Sequence, residues 1–505
     1  MTLQQPSETY RGYRTAGIRL HEELLETLQF HRTDKLYDTI ASIHEFDKAH
    51  TVMLTERGII PFEAGRAILR ALRDTEGDEG QARIKADGGK HSGEQHLIRT
   101  LGEDVGGWIN TGRSSGDLGQ IGRLLTSRDH VLKCLPALLD FREVLISLAE
   151  KFPTTVIAGQ TFLQHGQPTT LGHWFSMWAS VLERDYARFE ELYERINSSP
   201  AGAAIFTGSD FDIDRHRVAE LLGFREPIDN TMDATLSHDK LLEAVSLVAL
   251  LWTDLGRLAD DLELWLSTEY EYIKFPDRFC DTSSIMPQKR NPSLPQQMKS
   301  QAAKAIGNVT TAYIAERGAS GQQWNPRYET ERILWESFAA IPQLLHDAAA
   351  MLSEIVPQTE HALARAECGW ATSTDLASLI VQKRDLSWRT AHQIAAIVVR
   401  LGEERGLGTS DVTSALVDEA AVLYIGQPLE LTGVSIREAL TASEFVARRT
   451  LFGGAAPAAH SETLGKRKAT LRQDVDGFTA RNAAVEGGRQ QLEEAIDRIL
   501  VGVEE

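Results

Sequence analysis

Within eleven residues the chain gathers three small hydroxyls, two amides, an ammonium and a guanidinium: Thr282-Ser283-Ser284-Ile285-Met286-Pro287-Gln288-Lys289-Arg290-Asn291-Pro292. An anionic substrate is not forbidden by the acidic balance of the chain, because a few local cations outweigh distant charge within a Debye length of ~8 Å. Pro287 and Pro292 forbid a continuous helix, so the string reads as a loop. Polar loops on a rigid scaffold are where sites commonly sit. A plain connection ending in a helix cap is the other reading that composition leaves open. Elsewhere the chemistry is thin. No His, Asp or Glu grouping has metal-ligand spacing. Gly106-Gly107 lacks the GxGxxG pattern and reads as a turn. Cys134, Cys280 and Cys368 lie far apart, so neither a disulfide framework nor a cysteine-rich zinc site is expected, and a reducing cytosol fits. No cofactor or metal is called for.

The elements that must hold this loop are helical. Over 233–266, Leu241, Leu242, Val245, Val248, Leu251, Leu255, Leu258, Leu262 and Trp265 step by three and four. Leu247, Leu250 and Leu264 widen the stripe, as in a helix buried on several sides. Similar patterns cover 118–148 (with a kink expected at Pro136), 169–196 and 291–313. Four long helices in the middle third predict an elongated bundle. Strand alternation is scarce and no repeating β-α rhythm is present. The stretches before about 104 and after about 359 read as smaller helical caps. The tail from 479 reads as a peripheral helix interrupted near Gly487-Gly488.

The chain has 505 residues, about three domains' worth, with 53 basic and 72 acidic side chains and a net charge of −19. That balance argues against nucleic-acid binding, which needs clustered Lys and Arg. The start lacks the apolar core of a signal peptide, and no run of ~18 apolar residues exists to span a membrane. The expectation is a soluble, cytoplasmic protein.

The 282–292 string closely resembles the SSxMPxKxNP signature of the aspartase/fumarase superfamily, and other segments agree in order. Asn110-Thr111-Gly112-Arg113-Ser114 is similar to the HTGRS region of argininosuccinate lyases. The run from Gly159 to Pro168 is similar to their GYTHLQRAQP region. Ser199-Pro200-Ala201-Gly202 through Asp214-Arg215, Asp233-Ala234 before Asp239, and Gly453-Gly454-Ala455-Ala456-Pro457 also match. The likeness runs from about Arg14 to about Pro457. It implies an all-α protomer of three helical domains, placed at 1–110, 111–359 (the long-helix bundle with the signature loop) and 360–505. It also implies a homotetramer whose active sites each draw on three subunits. The chemistry it implies is reversible elimination from a succinyl compound to fumarate. Ser283 would be the base, Lys289 would supply charge to a substrate carboxylate, Asn291 a hydrogen bond, and Thr161 would hold a carboxylate. Ser114 and His91 match family positions at the substrate.

The departures are specific. Phe162 stands where the family has His, and Gln296 where it has the Glu paired with that His, so both members of an acid–base relay are missing together. Random decay would more often strand one charged partner at a cost of a few kcal/mol. Ser115-Gly116 stand where the family has Arg-Asn. Trp324 replaces a Tyr, His238 an Arg, and a later Gln and Lys become Glu329 and Arg332. His165, three residues after Phe162 and one helical step away if that segment is helical, is a weaker candidate base. His96, His173 and His361 are assigned structural roles. The expected activity is that of a carbon–nitrogen lyase of argininosuccinate-lyase type, releasing fumarate plus an amine or guanidine, with argininosuccinate itself disfavoured. The alternatives are a superfamily cycloisomerase or a lyase with a different leaving group, and an inactive structural or regulatory tetramer.

Overall fold

The structure, a computed structural model, describes residues 11, 39–76, 89–321 and 327–502. Trp324 and the family likeness between Arg14 and residue 38 lie outside the described residues. The described chain forms eighteen α-helices. The first four are α1 (Thr39–Glu56), α2 (Phe62–Arg73), α3 (Ser92–Leu101) and α4 (Glu103–Gly106). The middle holds α5 (Ser115–Lys151), α6 (Leu171–Ile196), α7 (Arg215–Leu221), α8 (Thr231–Leu236), α9 (Asp239–Leu266), α10 (Ser293–Glu316) and α11 (Arg327–Ser353). There follow α12 (Thr359–Glu367), α13 (Ser373–Arg384), α14 (Trp388–Glu404), α15 (Ser414–Ile425), α16 (Gly433–Leu440), α17 (Ala442–Ala447) and α18 (Pro457–Val501). Among the described residues, strands occur only as small pairs: antiparallel β1 (Val156–Thr161) with β2 (Gln164–Thr170), and parallel β3 (Ser198–Ser199) with β4 (Glu226–Pro227). Antiparallel β5 (Ile273–Lys274) pairs with β8 (Val356–Pro357), and β6 (Asp281–Thr282) with β7 (Arg290–Asn291). The fold is all-α, as the periodicity required.

The bundle is α5, α6, α9, α10 and α11. Helix α5 is buried nearly all round, with Leu118, Ile121 and Leu125 in one apolar cluster and Val131 to Leu148 in the larger central one. Its 37 residues continue through Pro136 and span ~55 Å. The stretch expected to be one helix over 233–266 is broken. Asn230 caps α8 by accepting the N–H groups of Met232 and Asp233, and the chain leaves helix at Ser237-His238 before α9 begins. Helix α11 is an element that the periodicity does not announce.

The three largest apolar clusters organise the described chain. The central one joins α5, α6, α9, α10 and α11. A second gathers Ile43 and Phe46 of α1, the start of α5, Leu221 of α7, and Leu492, Ile496 and Ile499 of α18. A third lies within 376–440.

The expected break near Gly487-Gly488 is not there, since α18 runs unbroken for 45 residues. Gly488 serves contact rather than termination. A Cβ there would lie 2.5 Å from the Cα of Gly223, so two backbones touch where α18 crosses the end of α7. At Gly487 nothing lies within 4 Å. Gly488→Ala should therefore lower stability by about 2 kcal/mol or more through a backbone clash. Gly487→Ala should raise it by ~0.5–1 kcal/mol through helix propensity. Thermal melts of the two variants moving in the same direction would refute this account.

Candidate active site

The signature loop is carried on a short hairpin. Asp281 pairs with Asn291 and Thr282 with Arg290, and Pro292 leads directly into α10. Arg290 is turned back onto Asp277 (2.7 Å) and the Phe275 carbonyl, which anchors the base of the loop. Lys289, the last loop residue before β7, is exposed. The Ser283 hydroxyl oxygen accepts the backbone N–H groups of Met286 (3.1 Å) and Ile285 (3.3 Å). Two fixed donors on one oxygen favour its anionic form. The same bonds would cap a turn in any loop; here they fall on the residue that the motif marks as base.

Thr161 ends β1 at the tip of a second hairpin, whose turn is Phe162-Leu163. Both residues have left-handed backbone, φ 55° and 57°. Such a turn favours Asn-Gly, and a side chain with this φ costs ~1–2 kcal/mol. Phe162 is 97% exposed. An apolar side chain in strained backbone and open water is a surface built to be covered. The segment is therefore not helical. His165 pairs with Gln160 in the ladder and lies beside Gly369, away from the turn. Gln296, in the first turn of α10, donates to Glu263 of α9, which also holds Lys299 at 2.7 Å. His173 bonds Thr169 and the Gly453 carbonyl, and His361 the Tyr270 carbonyl.

The first motif caps α5. Ser114 accepts the Gly116 N–H at 3.0 Å, while Asp117 accepts the N–H of Ser114 at 2.8 Å and of Ala204 at 3.2 Å. Burial pushes the Asp117 carboxyl up. Arg113 is spent inward on Asp47 at 2.7 Å, both fully buried. The His50 Nε2–H donates to the Thr111 carbonyl (2.8 Å), and the ring is pushed down to about 3, by burial first and then by Arg113. Ser115 is exposed in the first helical turn. Gly116 is buried, where a Cβ would meet Ile205 at 2.8 Å. His91 ends a short 3-10 turn against α5, its Nδ1 3.0 Å from Glu94.

Sequence reasoning named only His238 of a polar cluster one to two turns along α5. It holds Lys90, Gln120, Arg123, His238, Glu316, Arg327 and Glu331, from several segments distant in sequence. Arg123 pairs through Nε with Glu331, and Arg327 with Glu316 at 3.2 Å. His238 lies 3.5 Å from Glu316 and 3.3 Å from the Gln120 amide. Burial, then Arg123, Arg327 and Lys90, push His238 down to about 2, so it is neutral. Lys90 is pushed down to about 8, by burial first and then by Arg123. Arg332 points outward instead, onto Glu329 and Glu336.

The predicted site residues therefore fall at two ends of the bundle. Ser114, Ser115, Gly116, His91 and Arg332 gather at the start of α5 and α11. Thr161, Phe162, Ser283, Lys289, Asn291 and Gln296 gather at the far end, where Trp174 of α6 meets Asp261 and Trp265 of α9. The length of α5, ~55 Å, separates the groups. No single protomer can close them around one small molecule. Among the described residues no group of three His, Cys, Asp or Glu side chains could hold a metal, and no helix is long and apolar enough to cross a membrane.

This arrangement has relatives. A family model described as lyase matches residues 4–307, and one described as argininosuccinate lyase C-terminal matches 370–447. The argininosuccinate lyase of Methanosarcina acetivorans is 33% identical over 456 residues, covering 89% of this chain and 91% of the relative. That of Methanothermobacter thermautotrophicus is 33% identical, covering 82% and 89%. Among solved structures, EDDS lyase in complex with formate superimposes with a TM-score of 0.82 at 27% identity, covering 95% of this chain and 99% of that one. A doubly substituted variant of EDDS lyase with bound fumarate does the same. Likeness of this extent, over a bundle that splits the same motifs between its two ends, places the chain in the argininosuccinate lyase family of the fumarate lyase superfamily, as a carbon–nitrogen lyase.

Proposed function

We infer that the protein catalyses reversible elimination from an N-succinyl compound, giving fumarate and an amine. The observation that carries this reading is the Ser283 hydroxyl held under two backbone N–H donors on a loop that also presents Lys289. Ser283, as alkoxide, takes the proton from the carbon beside a carboxylate. Lys289 and Asn291 balance the resulting dianion, Thr161 holds a carboxylate, and the C–N bond on the adjacent carbon breaks. The departing nitrogen takes its proton from solvent water, since neither Phe162 nor the Gln296 amide can deliver one. The fumarate bound in the EDDS lyase variant supports the four-carbon half of the substrate.

The two-ended distribution of these residues calls for several copies around each site. The outer faces of α9 and α10 leave Leu250, Ile306, Tyr313 and Ile314 exposed in one protomer. That surface suits a homotetramer, in which Ser114, Ser115, Gly116 and His91 of one copy meet the loops of others.

The names of the curated relatives favour a second reading, argininosuccinate itself. Against it stand Ser115, Gly116, Phe162 and Trp324 at positions where the family carries polar groups. Losing even two paired contacts at ~1–3 kcal/mol each costs roughly 30-fold or more. Argininosuccinate should turn over with kcat/KM below ~10⁴ M⁻¹s⁻¹. Fumarate consumed with an amine panel, read by ultraviolet absorbance and mass spectrometry, should reveal a better partner. Argininosuccinate turnover at ordinary lyase rates would reverse the assignment.

A further inference from the structure

We propose that the cavity walled by the ends of α12 and α16 and by the loop after α14 is a binding site for a zwitterionic α-amino acid with an apolar side chain. None of its residues belongs to the motifs of the lyase site, and the proposal does not depend on the lyase reading.

The cavity holds about 520 Å³, within the ~300–1,000 Å³ usual for small-molecule sites. Its apolar wall is Trp370, Leu407 and Leu440, and Arg437 and Glu367 also line it. Trp370 is held there against its backbone preference. Its backbone is left-handed (φ 60°), as is that of Gly369 before it (φ 67°). A bulky side chain seldom adopts that conformation, and it persists only where the surroundings impose it. Here the surroundings are α14. A Cβ at Gly402 would lie 2.4 Å from the indole, so the absent side chain is what lets the ring seat against the helix. Hydroxyls tie the walls together. Thr409 Oγ1 donates to the Glu367 carbonyl (3.1 Å), and the Thr372 hydroxyl to the Leu440 carbonyl (3.0 Å). The cavity is therefore formed before any ligand arrives.

Two opposite charges are left over on its lining. Among the described residues the Arg437 guanidinium and the Glu367 carboxylate have no ion-pair or hydrogen-bond partner, and they do not pair with each other. In the same C-terminal region Arg405 is held by Glu419 and Arg448 by Asp375. A guanidinium takes a carboxylate by two parallel bonds, and a carboxylate takes an ammonium. A molecule that carries both groups on neighbouring atoms meets both, and its side chain then falls against Trp370, Leu407 and Leu440. A ligand with a single charge leaves one of the two unmet. A carboxylate on the side chain would have to be desolvated against the indole and two leucines.

The test measures binding, not turnover, on the full-length enzyme. Calorimetry with L-phenylalanine and L-leucine should give a Kd near or below ~1 mM. 3-Phenylpropionate lacks the ammonium, 2-phenylethylamine lacks the carboxylate, and L-glutamate has a charged side chain. Each should bind at least ~10-fold more weakly, the ratio that one satisfied charged contact confers. Arg437 and Glu367 are exposed, so Arg437→Met and Glu367→Gln should fold normally. Each should weaken L-phenylalanine by ~10-fold or more. Cys368 lines the same cavity and is exposed. L-phenylalanine should therefore slow its alkylation by iodoacetamide, read on the Cys368 peptide by mass spectrometry, with Cys280 as internal control. Absence of binding by both amino acids at ~1 mM overturns the proposal. So does equal binding of the single-charge analogues. Binding that survives both variants and leaves Cys368 unprotected lies elsewhere on the enzyme and overturns it too. None of these outcomes bears on the lyase reading, which stands or falls on turnover.

Discussion

Replacing Ser283 by alanine should lower kcat by roughly 10²–10⁴-fold while fumarate still binds. A carbon acid needs a base, and the motif regions offer Ser283, Lys289 and His165. Neutralising Lys289 would forfeit the charge that stabilises the dianion. His165 is committed to the β1–β2 ladder beside Gly369, on a different hairpin from the signature loop. Ser283 alone has its oxygen placed under fixed donors, the arrangement that favours the alkoxide. His165→Ala should change kcat far less. Calorimetry with fumarate checks that the Ser283→Ala loop is still formed. Were His165→Ala to abolish turnover while Ser283→Ala did not, the base would lie in the second hairpin and the mechanism would be wrong.

Two inactive variants should rescue each other when co-expressed. Ser114→Asp keeps a good cap on α5 but sets a negative charge where a carboxylate belongs. Ser283→Ala disables the opposite end. If each site draws these residues from different copies, random assembly makes about a quarter of the sites free of both lesions. Activity should then rise from below ~1% for either variant alone to ~25% of the native level for the mixture. A site complete within one protomer would gain nothing, because every copy would carry one lesion. The expectation follows from the ~55 Å of α5 between Ser114 and Thr161.

The long helices are legible because Leu and Val at steps of three and four leave little choice. Helix α11 is not, since Pro342 and a run of charged residues at its start blur its period. The β1–β2 hairpin is hidden by Gln, Gly and Thr in its strands and by a Phe-Leu turn that carries no turn residue. Ser283 and its neighbours are visible because one contiguous string holds them. The Lys90–Arg123 cluster is not, because segments distant in sequence supply it. The Gly487-Gly488 pair misleads for a related reason. Glycine signals both a helix end and a close crossing, and only the position of Gly223 tells which.

The crossing of α18 over the first helices bears on how the chain is made. Leu492, Ile496 and Ile499 complete the cluster around Ile43 and Phe46, and Glu493 bridges Lys48 (2.7 Å) and Arg73 (2.8 Å). The apolar faces of α1 and α2 are thus covered only when α18, more than four hundred residues later, reaches them. Contacts spanning more than four hundred residues make closure late and slow. Loss of the 492–499 stretch should therefore uncover Ile43 and Phe46, far away in sequence, and expose that apolar surface to aggregation.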